Sequence, residues 1–145
     1  MSIDLDVLAE RASAVERHLT RVKQKLPNAA ADLLPNSDAS DAVILHLWQA
    51  TQIILDLALG ACAQLHLGAP TGYADAFVRL SSAGVLNAEL ARRLAAAAGF
   101  RNLVAPAYES IDLARVHNAA THGPADLRAF LAAIRDWLTK SASGS

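Results

Sequence analysis

The sequence predicts an all-α protein, an antiparallel bundle of about five to six helices around a four-helix core. Apolar residues recur every three or four positions in several segments, which is the spacing of one helix face. The 145-residue sequence contains no strand-like alternation and no glycine-rich phosphate loop. With 53% hydrophobic and 19% charged residues, one domain can bury a substantial core. We therefore predict a single helical domain over residues 1–140 and a loose tail over residues 141–145.

The first segment, residues 2–26, is typical of an amphipathic helix with one narrow apolar seam. The seam consists of Leu5, Leu8, Ala12, Val15, Leu19, Val22 and Leu26. We expect Ser2 to cap this helix and Pro27 to end it, because proline cannot continue a hydrogen-bonded turn. A proline-containing connector then leads to Ser37 and Asp38, which are candidate caps of a second helix.

The second helix should run from residue 38 to about residue 65, which is roughly 40 Å. Its apolar side chains extend most of the way around, so the rest of the domain and a second subunit should cover it, as in a symmetric homodimer. A lipid-facing span would not accept the polar residues His46, Gln49, Thr51, Gln52, Asp56 and Gln64. The first ten residues, MSIDLDVLAE, do not resemble a secretory signal, so we expect a cytoplasmic protein.

A turn is predicted over residues 66–72, followed by a short helix that carries Phe77 and Leu80. Asn87 should cap the next helix, which we expect to end at Gly99 and Phe100. Helix should resume through residues 111–114, and the stretch HNAATHGP over residues 117–124 should interrupt it. The last helix is predicted from residue 125 to about residue 140.

Neither the cysteine nor the histidines indicate a metal or cofactor site. Cys62 lies in an apolar segment and is expected to be a buried small hydrophobe. His18, His46, His66 and His122 are scattered in the sequence, and His117 and His122 do not share a helix face. We therefore predict no bound metal and no cofactor.

Positive charge is concentrated in the second half of the chain. Residues 26–78 contain no Lys or Arg, whereas residues 79–135 contain seven arginines and four acidic residues, although the whole chain has a net charge of −1. Such a local excess suits a phosphate backbone, but it is also typical of a solvated helix surface.

The candidate site is the stretch RNLVAPAY, residues 101–108. The guanidinium of Arg101 could hold a phosphate through two hydrogen bonds, and Asn102 could donate another or orient the arginine. Pro106 interrupts an otherwise helix-forming segment, where an interior proline costs roughly 3 kcal/mol. Alternatively, Arg101 and Asn102 merely join two helices, and Tyr108 packs on the bundle.

This stretch resembles the signature of the HEPN superfamily, and more closely that of the HepT-like toxins. The signature reads Arg-Asn, three residues, His, one residue, Tyr. Arg101, Asn102 and Tyr108 match it, and Pro106 stands at the histidine position. The resemblance extends over roughly residues 38–140 and includes Pro70, Tyr73, Phe77, Leu80, Gly84 and Val85.

The resemblance implies a small helical dimer that cleaves RNA without metal by means of the Arg/His pair. It also implies a partner, a nucleotidyltransferase-like (MNT) antitoxin, which can attach AMP to Tyr108. Arg101 could stabilise the developing phosphate charge, but with Pro106 in place of the histidine we expect activity to be lost or crippled. His117 lies eleven residues past Pro106, roughly 16 Å along a helix axis, and cannot replace the histidine within one subunit.

Other classes of function fit the sequence less well. A non-catalytic helical dimerisation module that binds a nucleotidyltransferase partner is the main alternative. A DNA-binding protein is disfavoured because the basic charge is thin. A four-helix metal oxidase would need Glu-x-x-His pairs, which the sequence lacks.

Overall fold

The computed structural model describes the backbone of residues 2–104 and 111–143 and the side chains of residues 2–100 and 111–141. In these ranges the protein consists of helices and connecting turns, without strands, which confirms the predicted all-α class. The elements are α1 (Leu5–Lys25), a 3-10 turn (Ala30–Asp32), α2 (Asp38–Gln64), α3 (Tyr73–Ser82), α4 (Ala88–Val104) and α5 (Leu113–Ser143).

Helix α2 lies at the centre of the bundle and contacts α1, α3, α4 and α5. By length and composition it could cross a membrane, yet 44% of its most apolar window is buried among the other helices, as in a core helix. The core continues between α3 and α5, where Phe77 packs edge-to-face on Phe130 with ring centroids 5.8 Å apart. Both of these rings are fully buried.

The start of α1 differs from the prediction. Asp4, not Ser2, caps the helix, because its Oδ1 accepts a hydrogen bond of 2.8 Å from the amide of Val7. The residues before it are held by Gln64 of α2, whose side chain accepts from Ile3 N at 2.7 Å and donates to Ile3 O at 3.0 Å. These two bonds keep Ile3 outside the helix, so α1 can begin only after Asp4.

The predicted starts of α2 and α4 are confirmed. The hydroxyl of Ser37 accepts from the amide of Ser40 at 3.1 Å, and the Ser40 hydroxyl accepts in return from the amide of Ser37 at 3.3 Å. Asn87 Oδ1 accepts from the amide of Leu90 at 2.7 Å. In each case a short polar side chain satisfies an amide that the first helical turn leaves without a partner.

Helix α4 does not end at Gly99 and Phe100, as the sequence indicated. It continues to Val104 and thus includes the backbone of Arg101 and Asn102. Phe100 is buried at 7% exposure, so packing holds the turn that Gly99 alone would weaken.

The interruption predicted over residues 117–124 is wrong, since α5 is continuous from Leu113 to Ser143 with Pro124 inside it. Val116 and Leu127, on either side of the proline, are 0% and 1% exposed, so burial of both halves outweighs the cost of the proline. The helix starts later than predicted, because Asp112 Oδ1 accepts from the amide of Ala114 at 3.1 Å. It also includes residues 141–143, which were predicted to be tail; residues 144–145 lie outside the described range.

Candidate functional site

Of the predicted site, residues 101–108, the structure describes only the backbone of residues 101–104. The backbone of Arg101 and Asn102 is helical in the last described turns of α4. Their side chains, together with Pro106 and Tyr108, lie outside the described residues, as does the predicted interruption at Pro106. Their roles therefore stay predictions. Asp112 and the preceding Ile111 are not helical, so α4 and α5 are separate helices.

A cleft lies between α4 and α5, and its lining includes Phe100, which immediately precedes Arg101. We call it the α4–α5 cleft. It has a volume of about 260 Å³. Its lining residues come from three helices: Leu47, Thr51, Arg92, Arg93, Ala96, Ala97, Phe100, Asn118, Ala119, His122, Gly123, Asp126 and Leu127. The cleft exists because alanines and a glycine line the facing sides of α4 and α5, where larger side chains would fill the space.

The mouth of the α4–α5 cleft carries a network of charged side chains. Arg93 Nε donates to Asp126 Oδ1 at 2.9 Å and so links α4 to α5. Arg92 and Arg93 both also bond to Glu89, one turn earlier in α4. The hydrogen bond from Arg92 lowers the pKa of the Glu89 carboxyl, and the bond to Asp126 raises the pKa of Arg93. These pairs are exposed to solvent, so they orient the guanidinium groups more than they stabilise the fold.

A second, more open depression of about 650 Å³ adjoins the cleft. It shares Phe100 and Asn118 with the cleft and extends to Gly99 and Arg115. Among the described residues, no carboxylate pairs with the guanidinium of Arg115. We call the two together the groove; among the described residues its lining reaches Gly99, two residues before Arg101.

Sequence reasoning missed this groove. Asn118, His122 and Asp126 follow one another at the i, i+4 spacing of one helix face, which is the signal that could have revealed them. Because a break was predicted over residues 117–124, these three residues were not placed on one helix face.

The remaining candidate groups have structural contacts. His117 Nε2 lies 2.8 Å from Pro27 O and ties α5 to the connector after α1. Cys62 is buried, as predicted, and burial raises the pKa of its thiol. His18 and His46 are not scattered in space, because their Nδ1 atoms lie 3.0 Å apart. Within the described ranges, no three metal-ligating side chains come together.

A sequence model of the family described as ribonuclease HepT-like matches residues 15–134. The chain therefore belongs to the HepT-like family of HEPN proteins, as its motif indicated. The match begins at residue 15, within α1, whereas the resemblance noted in the sequence began at about residue 38. No curated protein matches the chain.

Several solved structures share the fold. One is a tri-AMPylated HEPN toxin from Shewanella oneidensis in complex with an MNT antitoxin, at 23% identity and a TM-score of 0.79 over 90% of this chain and 98% of that one. A toxin–antitoxin structure with AMP-PNP has 22% identity and a TM-score of 0.80 over the same shares. A variant of a pair called MntA–HpeT has 23% identity and a TM-score of 0.77, again over 90% and 98%.

Proposed function

We propose that this protein is the toxin component of a HEPN/MNT-type toxin–antitoxin system, with RNA as its substrate and a nucleotidyltransferase antitoxin as its partner. Membership of the HepT-like family over residues 15–134 carries this proposal. The retention of Arg101, Asn102 and Tyr108 at signature spacing supports it. So does the fold shared with a toxin that was solved in complex with an MNT antitoxin. We place the protein in the cytoplasm.

The proposed cleavage is metal-independent attack of a ribose 2′-hydroxyl on the neighbouring phosphate. Arg101 stabilises the charge that develops on the phosphate, and Asn102 orients it or donates a further hydrogen bond. Pro106 has a tertiary amide nitrogen and no titratable group, so it cannot accept the hydroxyl proton. The protein thus keeps the phosphate-binding part of the site and lacks the general base, which typically contributes roughly 10²–10⁴-fold.

Tyr108 is the proposed acceptor of AMP from the antitoxin. Its phenolic oxygen forms the bond to the α-phosphorus of ATP, pyrophosphate leaves, and the phenol proton passes to solvent. The added phosphate places negative charge beside Arg101, where RNA phosphate would otherwise bind. The AMPylated toxin solved from Shewanella oneidensis supports this role.

We also propose that the protein is a homodimer. Leu45 on α2 is 50% exposed, and Trp48 and Ile53 on the same helix are only partly buried. An incompletely covered central helix supports contact with a second copy. Sedimentation at micromolar concentration tests this, and a stable monomer would count against the dimer.

A non-catalytic interaction module remains the second candidate, and the replacement of the histidine by Pro106 favours it. Both candidate functions require binding to a nucleotidyltransferase partner.

The first experiment therefore tests this binding. The chain is co-expressed with the nucleotidyltransferase encoded beside it, purified, and weighed by intact mass spectrometry after incubation with ATP. We expect a stable complex and the addition of adenylate, which a Tyr108→Phe variant does not acquire. Absence of both complex and adenylate would overturn the toxin–antitoxin assignment.

A further inference from the structure

The α4–α5 cleft has the size and lining of a site for a small, flat, partly polar group. Pockets for drug-sized ligands occupy roughly 300–1,000 Å³, so a cavity of about 260 Å³ suits something smaller. Its apolar floor is formed by the buried side chains of Leu47, Phe100 and Leu127. At its mouth lie Asn118 and His122, whose amide and imidazole can both donate and accept hydrogen bonds.

The charges around the cleft favour an anionic chain as its occupant. Arg92, Arg93 and Arg115 lie along the groove against two carboxylates, Glu89 and Asp126. An apolar peptide helix would leave these charged groups facing an apolar surface, which is costly. Arg92 and Arg93 are paired with these carboxylates, so Arg115 carries the excess positive charge of the groove. The two parts of a nucleotide match the two parts of the groove, because its flat base suits the apolar floor and its phosphate suits Arg115.

We infer that the α4–α5 cleft holds one unstacked base of a single-stranded RNA, adjacent to the nucleotide whose phosphate Arg101 binds. This inference rests on the proposed RNA substrate. Asn118 and His122 bond the edge of the base, and Arg115 binds a phosphate in the second depression on the way to Arg101. Because only an unstacked and unpaired base can enter the cleft, the protein should prefer single strands over duplex, whose bases are stacked and paired.

The inference is tested with a substitution that fills the cleft and leaves the buried core unchanged. Ala96 is exposed and lines both depressions, so Ala96→Leu places a larger side chain in the groove while keeping a strong helix former. The matched control is Ala125→Leu, at an exposed alanine of α5 that does not line the groove. Circular dichroism and thermal unfolding verify that both variants fold.

Binding is measured by fluorescence anisotropy with a fluorescein-labelled single-stranded RNA. The chain with Pro106 is used, because slow cleavage leaves the RNA intact. We expect Ala96→Leu to raise the Kd roughly 5- to 150-fold, the range that corresponds to about 1–3 kcal/mol of base stacking. Ala125→Leu should bind like the unaltered protein. A single-stranded RNA of the same length that is abasic throughout should bind the unaltered protein more weakly by a similar factor, and Ala96→Leu should lose no further affinity for it.

Other outcomes overturn the inference in distinguishable ways. If Arg101→Ala weakens RNA binding but Ala96→Leu does not, the RNA substrate stands and the base site is wrong. If the unaltered chain binds no RNA, both the substrate and the base site are wrong, while co-purification with the nucleotidyltransferase still tests the toxin–antitoxin pair separately. If Ala96→Leu converts a dimer into a monomer in sedimentation, a second copy covers the cleft and the base site is wrong.

Discussion

His18 Nδ1 lies 3.0 Å from His46 Nδ1, so one imidazole donates a hydrogen bond to the other across the interface of α1 and α2. The two rings are 5.2 Å apart between centroids. An imidazole can accept this bond only while its Nδ1 is unprotonated. The pair therefore makes the contact between the two helices sensitive to pH.

Stability should fall in mild acid because of this pair. Burial, the neighbouring His46 and the charge of Arg17 lower the pKa of His18 in the folded protein. The unfolded chain, with an ordinary pKa of about 6.5, then binds more protons than the folded one, so acid favours unfolding. The stabilisation is complete above about pH 6.5 and is lost as the pH falls towards the folded-state pKa.

Denaturant unfolding measured across this pH range checks the prediction. His18→Gln should flatten the decline in the free energy of unfolding, whereas His122→Gln, at an exposed histidine, should keep it. An unchanged decline in His18→Gln would assign the effect to other groups.

Cleavage of RNA should depend on position 106. Pro106→His should cleave a labelled single-stranded RNA roughly 10²–10⁴-fold faster than the present chain, since it restores a general base. Arg101→Ala should abolish the restored activity and have little effect in the present chain. All four proteins are compared at equal concentration without added metal. Equal, Arg101-dependent cleavage with proline and with histidine at position 106 would mean that the base lies elsewhere.

Gln64→Ala should destabilise the protein by about 1–3 kcal/mol, because it removes two hydrogen bonds to the backbone of Ile3. Ile3 is 5% exposed, so its docking on α2 also weakens. Gln24→Ala is the control, since Gln24 is an exposed α1 residue bonded only at the surface to Arg21, and should change stability by no more than about 0.5 kcal/mol. Urea unfolding measures both variants, and equal stabilities would show that Ile3 is held by other contacts.

Pro124→Ala should stabilise the protein by about 2 kcal/mol, because a proline inside a helix costs roughly 3 kcal/mol relative to alanine. Within continuous helix α5, alanine restores the amide that proline lacks and removes its clash with the preceding turn. Without the proline ring the unfolded chain has more conformational entropy, and this offsets about 0.4–1 kcal/mol of the gain in stability. Pro35→Ala, in the connector before α2, should bring no such gain. A loss of stability in Pro124→Ala would indicate that α5 is not regular helix around residue 124.

Features that depend on local spacing could be predicted from the sequence. The apolar seam of α1 is a short-range pattern, and all of it except Leu5, which is 49% exposed, packs in or against the core. The caps at Ser37 and Asn87 are also local, because one side chain bonds an amide three residues on. The family could be recognised for the same reason, because Arg101, Asn102 and Tyr108 lie within one short stretch. The exact role of each of these residues remains a prediction.

Other features could not be predicted from the sequence, because contacts between distant residues compete there with local preference. The sequence around Pro124 favours a break, yet α5 continues because Val116 and Leu127 are buried on either side of it. His18 and His46 are 28 residues apart in the chain and touch only because α1 packs along α2. The α4–α5 cleft likewise exists only where small residues of two helices face each other. Such features depend on packing between side chains that are far apart in sequence, and local spacing alone does not specify which of them meet.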